Sequence, residues 1–127
     1  LLPDELKDNI LNIILNLFRL SANIAEAPKF KDLDLSSTTL ELESLIDNLT
    51  NQLPPLTNFI YPAGSSTIAN IHITRAVCRR VERSLLNIDI KLNQSYLCYI
   101  NRLSDFLFTL ARFIAHTSNT AEIIVNF

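Results

Sequence analysis

A single glycine, Gly64, stands among 127 residues. Strand-rich folds draw on glycine for tight hairpin turns and bulges, so its scarcity favours a chain built from helices. It also excludes a glycine-rich phosphate loop from these residues.

Apolar spacing gives the helices their positions. Leu6, Ile10, Ile13, Leu17, Leu20 and Ile24 recur at alternating steps of four and three, which marks one stripe of a helix over 4–26. Pro3 precedes a first turn carrying Asp4 and Glu5, and Pro28 limits the other end. A second helix is expected over 38–53, opened by a Thr38–Glu41 capping box and buried through Leu42, Leu45, Ile46, Leu49 and Leu53. Pro54 and Pro55 stop it, and residues 56–63 read as an extended connector. A third helix is expected over 66–87, capped by Ser65 or Ser66. The fourth, over 94–117, has a clean stripe of Tyr96, Ile100, Leu103, Leu107, Leu110 and Ile114. The tail from Thr120 adds one short helical turn or packs as an extended end. Together these patterns predict an all-α, up-and-down bundle of four to five helices as one domain over 1–127.

Composition narrows the function. With 48% hydrophobic residues, 19% charged residues and a net charge of −2, the chain has a well-filled core and lacks the basic face of a nucleic-acid binder. Cys78 and Cys98 lack zinc-site spacing, so a reducing compartment fits. No apolar run reaches the roughly 20 residues of a membrane span, and nothing at Leu1 resembles a signal peptide. A cytoplasmic location is expected. His72 and His116 are isolated, so no metal site is assigned, and Cys78 reads as a small buried hydrophobe.

Positive charge is concentrated instead. RAVCRRVER, residues 75–83, packs four of the seven arginines into nine positions. On a helical projection Ile71, Thr74, Val77, Cys78, Val81 and Leu85 form a core face, with Arg75, Arg79 and Glu82 as a column on its border. A partly buried column of charge needs partners. Either Arg75 and Arg79 bond Glu82 and neighbouring acids, or the column binds a polyphosphate, for which the guanidinium fork is suited. Asn101, Asp105, Phe108 and Arg112 lie beside the stripe of the fourth helix at steps of four, three and four. Asn101 and Asp105 suit a ribose or a phosphate-borne Mg²⁺, while a salt bridge to Arg102 or Arg112 is the structural alternative for Asp105. Phe59, Ile60 and Tyr61, between prolines, read either as a loop tucked onto the core or as a face for a large apolar ligand.

FIYPAGSSTIANIHITRAVCRRVER at 59–83, followed by YINRLSDFLFTLAR at 99–112, resembles the PduO-type ATP:cob(I)alamin adenosyltransferases. The resemblance is ordered and correctly spaced over about residues 53–115. It implies a homotrimer with active sites between subunits, and transfer of the 5′-deoxyadenosyl group of ATP, with Mg²⁺, to cob(I)alamin with release of triphosphate. It implies that Arg79, Arg80, Glu82, Arg83 and Asn101 line the ATP site, and that Arg75 sits at the subunit junction. Asp105 and Phe108 join this binding set, and Arg79 and Phe59 carry the catalytic roles, Phe59 by crowding the lower corrin face. A cobalt reductase and an adenosylcobalamin-dependent enzyme are the implied protein partners, and the mitochondrial matrix is the implied location in a eukaryote. Two departures stand out. The usual double glycine is Gly64–Ser65 here, and the family's TRTGDxGxT segment has no counterpart in these residues. Either that segment lies outside them or nucleotide binding has been lost; the retained arginines and Asn101 favour the first. A corrinoid carrier without turnover and a structural helical oligomer are the rival readings.

Overall fold

The computed structural model describes residues 4–88 and 92–126. Leu1 and Pro3, both named in the sequence reading, lie outside the described residues. Helix α1 spans Asp4–Ile24, a 3-10 turn spans Pro28–Phe30, and α2, α3 and α4 span Ser36–Thr50, Ser66–Leu86 and Gln94–Thr117. Among the described residues there is no strand, only an isolated antiparallel bridge between Ile60 and Ile124. The all-α class is therefore borne out. No described helix is long and apolar enough to cross a membrane.

Glycine scarcity shapes the helix ends. Both α1 and α4 stop in a Schellman arrangement, which places one residue in the left-handed region. At α1, the Ala27 amide donates to the Ala22 carbonyl and the Glu26 amide to Asn23, with Glu26 at φ 63°. At α4, Thr120 donates to Ala115 and Asn119 to His116, with Asn119 at φ 56°. Asparagine tolerates this conformation, whereas glutamate there costs about 1–2 kcal/mol. The capping motif, rather than Pro28, ends α1; Pro28 instead opens the 3-10 turn.

The expected Thr38–Glu41 capping box is not formed. Helix α2 begins at Ser36, which puts Thr38 inside the first turn. A serine–threonine run offers several starting points, and an earlier start gains further backbone hydrogen bonds.

The chain divides into two compact units, Leu1–Leu35 and Ser36–Phe127. In the first, the Asn23 side chain donates to the Phe30 carbonyl at 2.8 Å and ties the 3-10 turn to α1. In the second, α4 packs against both α2 and α3. Its position between them explains why Tyr96, Tyr99, Ile100, Leu103, Phe106, Leu110 and Phe113 are all buried, well beyond a single stripe.

Helix α3 is rotated from the face its apolar pattern suggested. Ile68, His72, Cys78 and Leu85 are buried, and Ile71, Arg75 and Glu82 are half-buried. Thr74 is exposed, and Val77 and Val81 are 44% and 39% exposed. The reason lies on α4, which offers polar and aromatic partners to the polar side of α3. Val77 and Val81 turn outward with Ile73 as a result.

Candidate functional site

Gly64 starts the site. Its φ of +152° is open to glycine and strained for other residues, and a Cβ there would stand 3.0 Å from Ile68 Cγ2. Ile68 is buried, so it has little room to give. Ser65 follows as the N-cap, its side chain accepting from the Ile68 amide at 3.3 Å. Glycine and serine thereby aim α3 so that its middle turns meet α4.

Three contacts define that meeting. The Arg75 guanidinium lies 5.1 Å from the Phe108 ring centroid, a cation–π distance. His72 meets the same ring edge-on, with centroids 6.5 Å apart. Asn101 Nδ2 donates to Glu82 Oε2 at 2.9 Å. Of the sequence-selected residues, the structure therefore brings together Arg75 with Phe108, and Glu82 with Asn101. Arg79, Arg80 and Arg83 are exposed on the same helix.

The Arg75/Arg79–Glu82 ion network, one of the two readings of the column, is not formed. Among the described residues none of Arg75, Arg79, Arg80 and Arg83 lies within 4.0 Å of a carboxylate, since the ion pairs seen involve Lys7, Arg102 and Arg112. Glu82 turns to Asn101, and Arg75 Nε is buried without a hydrogen-bond partner. Asp105 takes the salt bridge foreseen as its structural role, with Arg102 Nη1 at 3.0 Å. Arg102 also donates through Nε to Glu43 on α2 at 2.9 Å and through Nη1 to Asn101 Oδ1 at 3.2 Å. Asn101 thus links Glu82 to the α2–α4 ion cluster. The hydrogen bonds it donates to Glu43 and Asp105 hold the Arg102 guanidinium more firmly protonated.

Burial dominates the titration of two neighbours. It lowers His72, with the Arg75 charge adding to the effect. It raises the Cys78 thiol to about 11, helped by Glu82 and opposed by Arg79. The Cys78 thiol donates to the Ile100 carbonyl at 3.4 Å. Its structural reading is borne out, because a thiol held protonated inside the core is a poor nucleophile.

The connector does not tuck Phe59 onto the core: this side chain is 73% exposed. The segment is held by the extended C-terminal tail. Tyr61 donates its amide to the Ile123 carbonyl, and Val125 to the Phe59 carbonyl, each at 2.8 Å. Arg112, 7% exposed, donates through Nε to Glu122 Oε1 at 2.9 Å and through Nη2 to the Pro54 carbonyl at 3.0 Å. The sequence reading considered Arg112 only as a possible salt-bridge partner of Asp105, which pairs with Arg102 instead, and it passed over Glu122. A signal existed: a charge within FTLARFIA must find a partner, and Glu122 is the only acid after Asp105.

A family model described as cobalamin adenosyltransferase matches residues 2–114. The human corrinoid adenosyltransferase MMAB is 46% identical over 86 residues, covering 65% of this chain and 34% of that protein. The PduO corrinoid adenosyltransferase of Citrobacter freundii is 39% identical over 119 residues, covering 89% and 36%. The chain thus spans about a third of the length of these curated relatives. Among solved structures, a variant PduO-type ATP:corrinoid adenosyltransferase of Lactobacillus reuteri, complexed with cobalamin and ATP, superposes with a TM-score of 0.87. It is 27% identical, over 98% of this chain and 72% of that one.

Proposed function

The chain belongs to the cobalamin adenosyltransferase family, and from this premise we propose that it transfers the 5′-deoxyadenosyl group of ATP to the cobalt of a reduced corrinoid. The observation that carries the proposal is the contrast in arginine pairing. Arg102 and Arg112 on α4 are held by carboxylates, whereas the arginines of α3 are not, so their guanidinium groups remain available for an anionic substrate.

On this reading Arg79, Arg80 and Arg83 bind the triphosphate. As the Co(I) electron pair forms the Co–C5′ bond, the C5′–O bond breaks and its electrons pass to the triphosphate. Guanidinium groups already in place stabilise the charge that accumulates on that oxygen. The Glu82–Asn101 pair, anchored through Arg102, supplies a fixed polar edge for the nucleoside. Phe108 closes the site beside Arg75, and Asp105 contributes through Arg102. Phe59 needs only an apolar bulk, since its task is to keep an axial ligand and water from the lower face of the corrin. Its exposure is what that task requires.

Among the described residues no group of three or more His, Cys, Asp or Glu side chains could hold a metal ion. Any Mg²⁺ accompanying ATP is therefore assigned to the triphosphate, and no step of the chain's own chemistry is routed through it.

A homotrimer is part of the proposal. Ile73, Val77 and Val81 form an outward apolar column on α3, with Arg80 along its border and the other arginines farther round, and a second copy would cover it. Arg75 faces Phe108 of α4, on the side of α3 away from that column, so its place at a subunit junction rests on the family resemblance alone. The cell's cobalt reductase and an adenosylcobalamin-dependent enzyme are the protein partners this chemistry calls for, in the cytoplasm or the mitochondrial matrix. Incubating the full-length protein with ATP and chemically reduced cobalamin should yield adenosylcobalamin and triphosphate in equal amounts. Tight corrinoid binding with no product would instead identify a carrier.

A further inference from the structure

We infer that the C-terminal tail is a strap that sets the register of the Phe59 connector, and that Arg112 and Glu122 are positioning residues for Phe59. The inference rests on the role proposed above for Phe59. In extended backbone, neighbouring side chains point to opposite sides. Ile60 faces a small cavity that Tyr61, Ile68, His72, Arg112 and Glu122 also line, whereas Phe59 stays out of it and is exposed. A slip of one residue would exchange the two side chains.

Within the connector the Ala63 amide donates to the Tyr61 carbonyl at 2.8 Å, a bond that lies beyond Phe59 and does not fix which residue faces outward. Its register is set from outside, by the paired amides of Tyr61 and Val125 on the tail and by the Ile60–Ile124 bridge. Arg112 then fixes both segments to α4. One edge of its guanidinium holds the tail through Glu122, and another nitrogen holds the start of the connector at Pro54. With the Arg112 side chain 8% exposed and that of Glu122 27% exposed, water competes weakly for this pair. A buried charge is thus used to align two segments that have no helix of their own. Neither Arg112 nor Glu122 needs to touch the corrinoid.

The test uses the full-length protein with ATP and cob(II)alamin as probes, which bind without turnover, and reads three quantities. These are the four-coordinate fraction in the absorption spectrum, the ATP affinity, and exchange of the Tyr61 amide. Val125→Pro removes one strap donor without touching Arg112, and an extended tail accepts proline. Glu122→Ala removes the anchor, and Glu122→Gln keeps an acceptor for Arg112. In Val125→Pro and Glu122→Ala, Tyr61 exchange should rise by about tenfold or more. The four-coordinate fraction should fall, ATP affinity should stay within about twofold, and Glu122→Gln should resemble the parent. If Glu122→Ala fails to fold, Val125→Pro decides alone. Faster Tyr61 exchange with an unchanged four-coordinate fraction overturns the inference, as does unchanged exchange. Phe59→Ala separates the two claims: if it alone shifts the spectrum, only the strap is wrong. If Phe59→Ala leaves the four-coordinate form intact, the role of Phe59 and the strap's purpose fall together.

Discussion

Helices α3 and α4 both carry arginines, and they use them in opposite ways. On α4, Arg112 is buried against Glu122 and a backbone carbonyl, and Arg102 joins Glu43 to Asp105. On α3, Arg75 rests on an aromatic face, and Arg79, Arg80 and Arg83 extend outward without a carboxylate within 4.0 Å among the described residues. One residue type thus serves architecture on one helix and, on the proposed reading, ligand binding on its neighbour. The difference lies in which acids the fold brings near: α2 and the tail supply them to α4, and the one acid on α3 turns to Asn101.

This contrast is open to attack at its strongest point first. Arg112→Ala leaves the Pro54 carbonyl and Glu122 without their partner in a buried setting. The expected loss is about 3–5 kcal/mol of stability, read as a lowered denaturant midpoint with an unchanged slope. A loss below about 1 kcal/mol would place Arg112 with the surface pairs. Gly64→Ala comes next, because it disturbs the start of α3 without changing any charge. Strain at φ +152° and the 3.0 Å approach to Ile68 should cost about 1–3 kcal/mol. Arg102→Ala should cost about 1 kcal/mol or less, and less again in high salt, because its side chain is 43% exposed.

The smallest effect is a pH dependence between the two helices. Burial and Arg75 depress the folded-state pKa of His72, so the unfolded chain binds this proton more readily. Its contribution to stability is present above the ordinary imidazole value of about 6.5. It is lost as pH falls from there through the depressed folded value. His72→Asn should flatten that part of the stability–pH curve. An unchanged slope would show that His72 is not the group responsible.

The four helices were legible because apolar spacing is a local property. All four starts and stops fell within three residues of the expected bounds, and Gly64 and Ser65 stood where α3 begins. The buried face of α3 was not legible from its own sequence. Val77 and Val81 are apolar and His72 and Arg75 are polar, yet the polar pair turns inward because Phe108 on another helix receives it. The strap was hidden for a similar reason. Its bonds join residues far apart in sequence, at Pro54, Arg112 and Glu122, and no periodic pattern records such a meeting. The arginine cluster itself was plain in RAVCRRVER. What the sequence could not decide was whether acids of the same chain would neutralise it.

Titration of ATP into Arg79→Ala, alongside its thermal unfolding, tests the central contrast most directly. An arginine that serves the ligand should lose affinity by roughly ten- to a hundredfold, about 1.5–3 kcal/mol, while the unfolding midpoint stays near that of the parent protein. Unchanged ATP affinity together with a lowered midpoint would make Arg79 a structural residue after all, and would contradict the division of labour between α3 and α4.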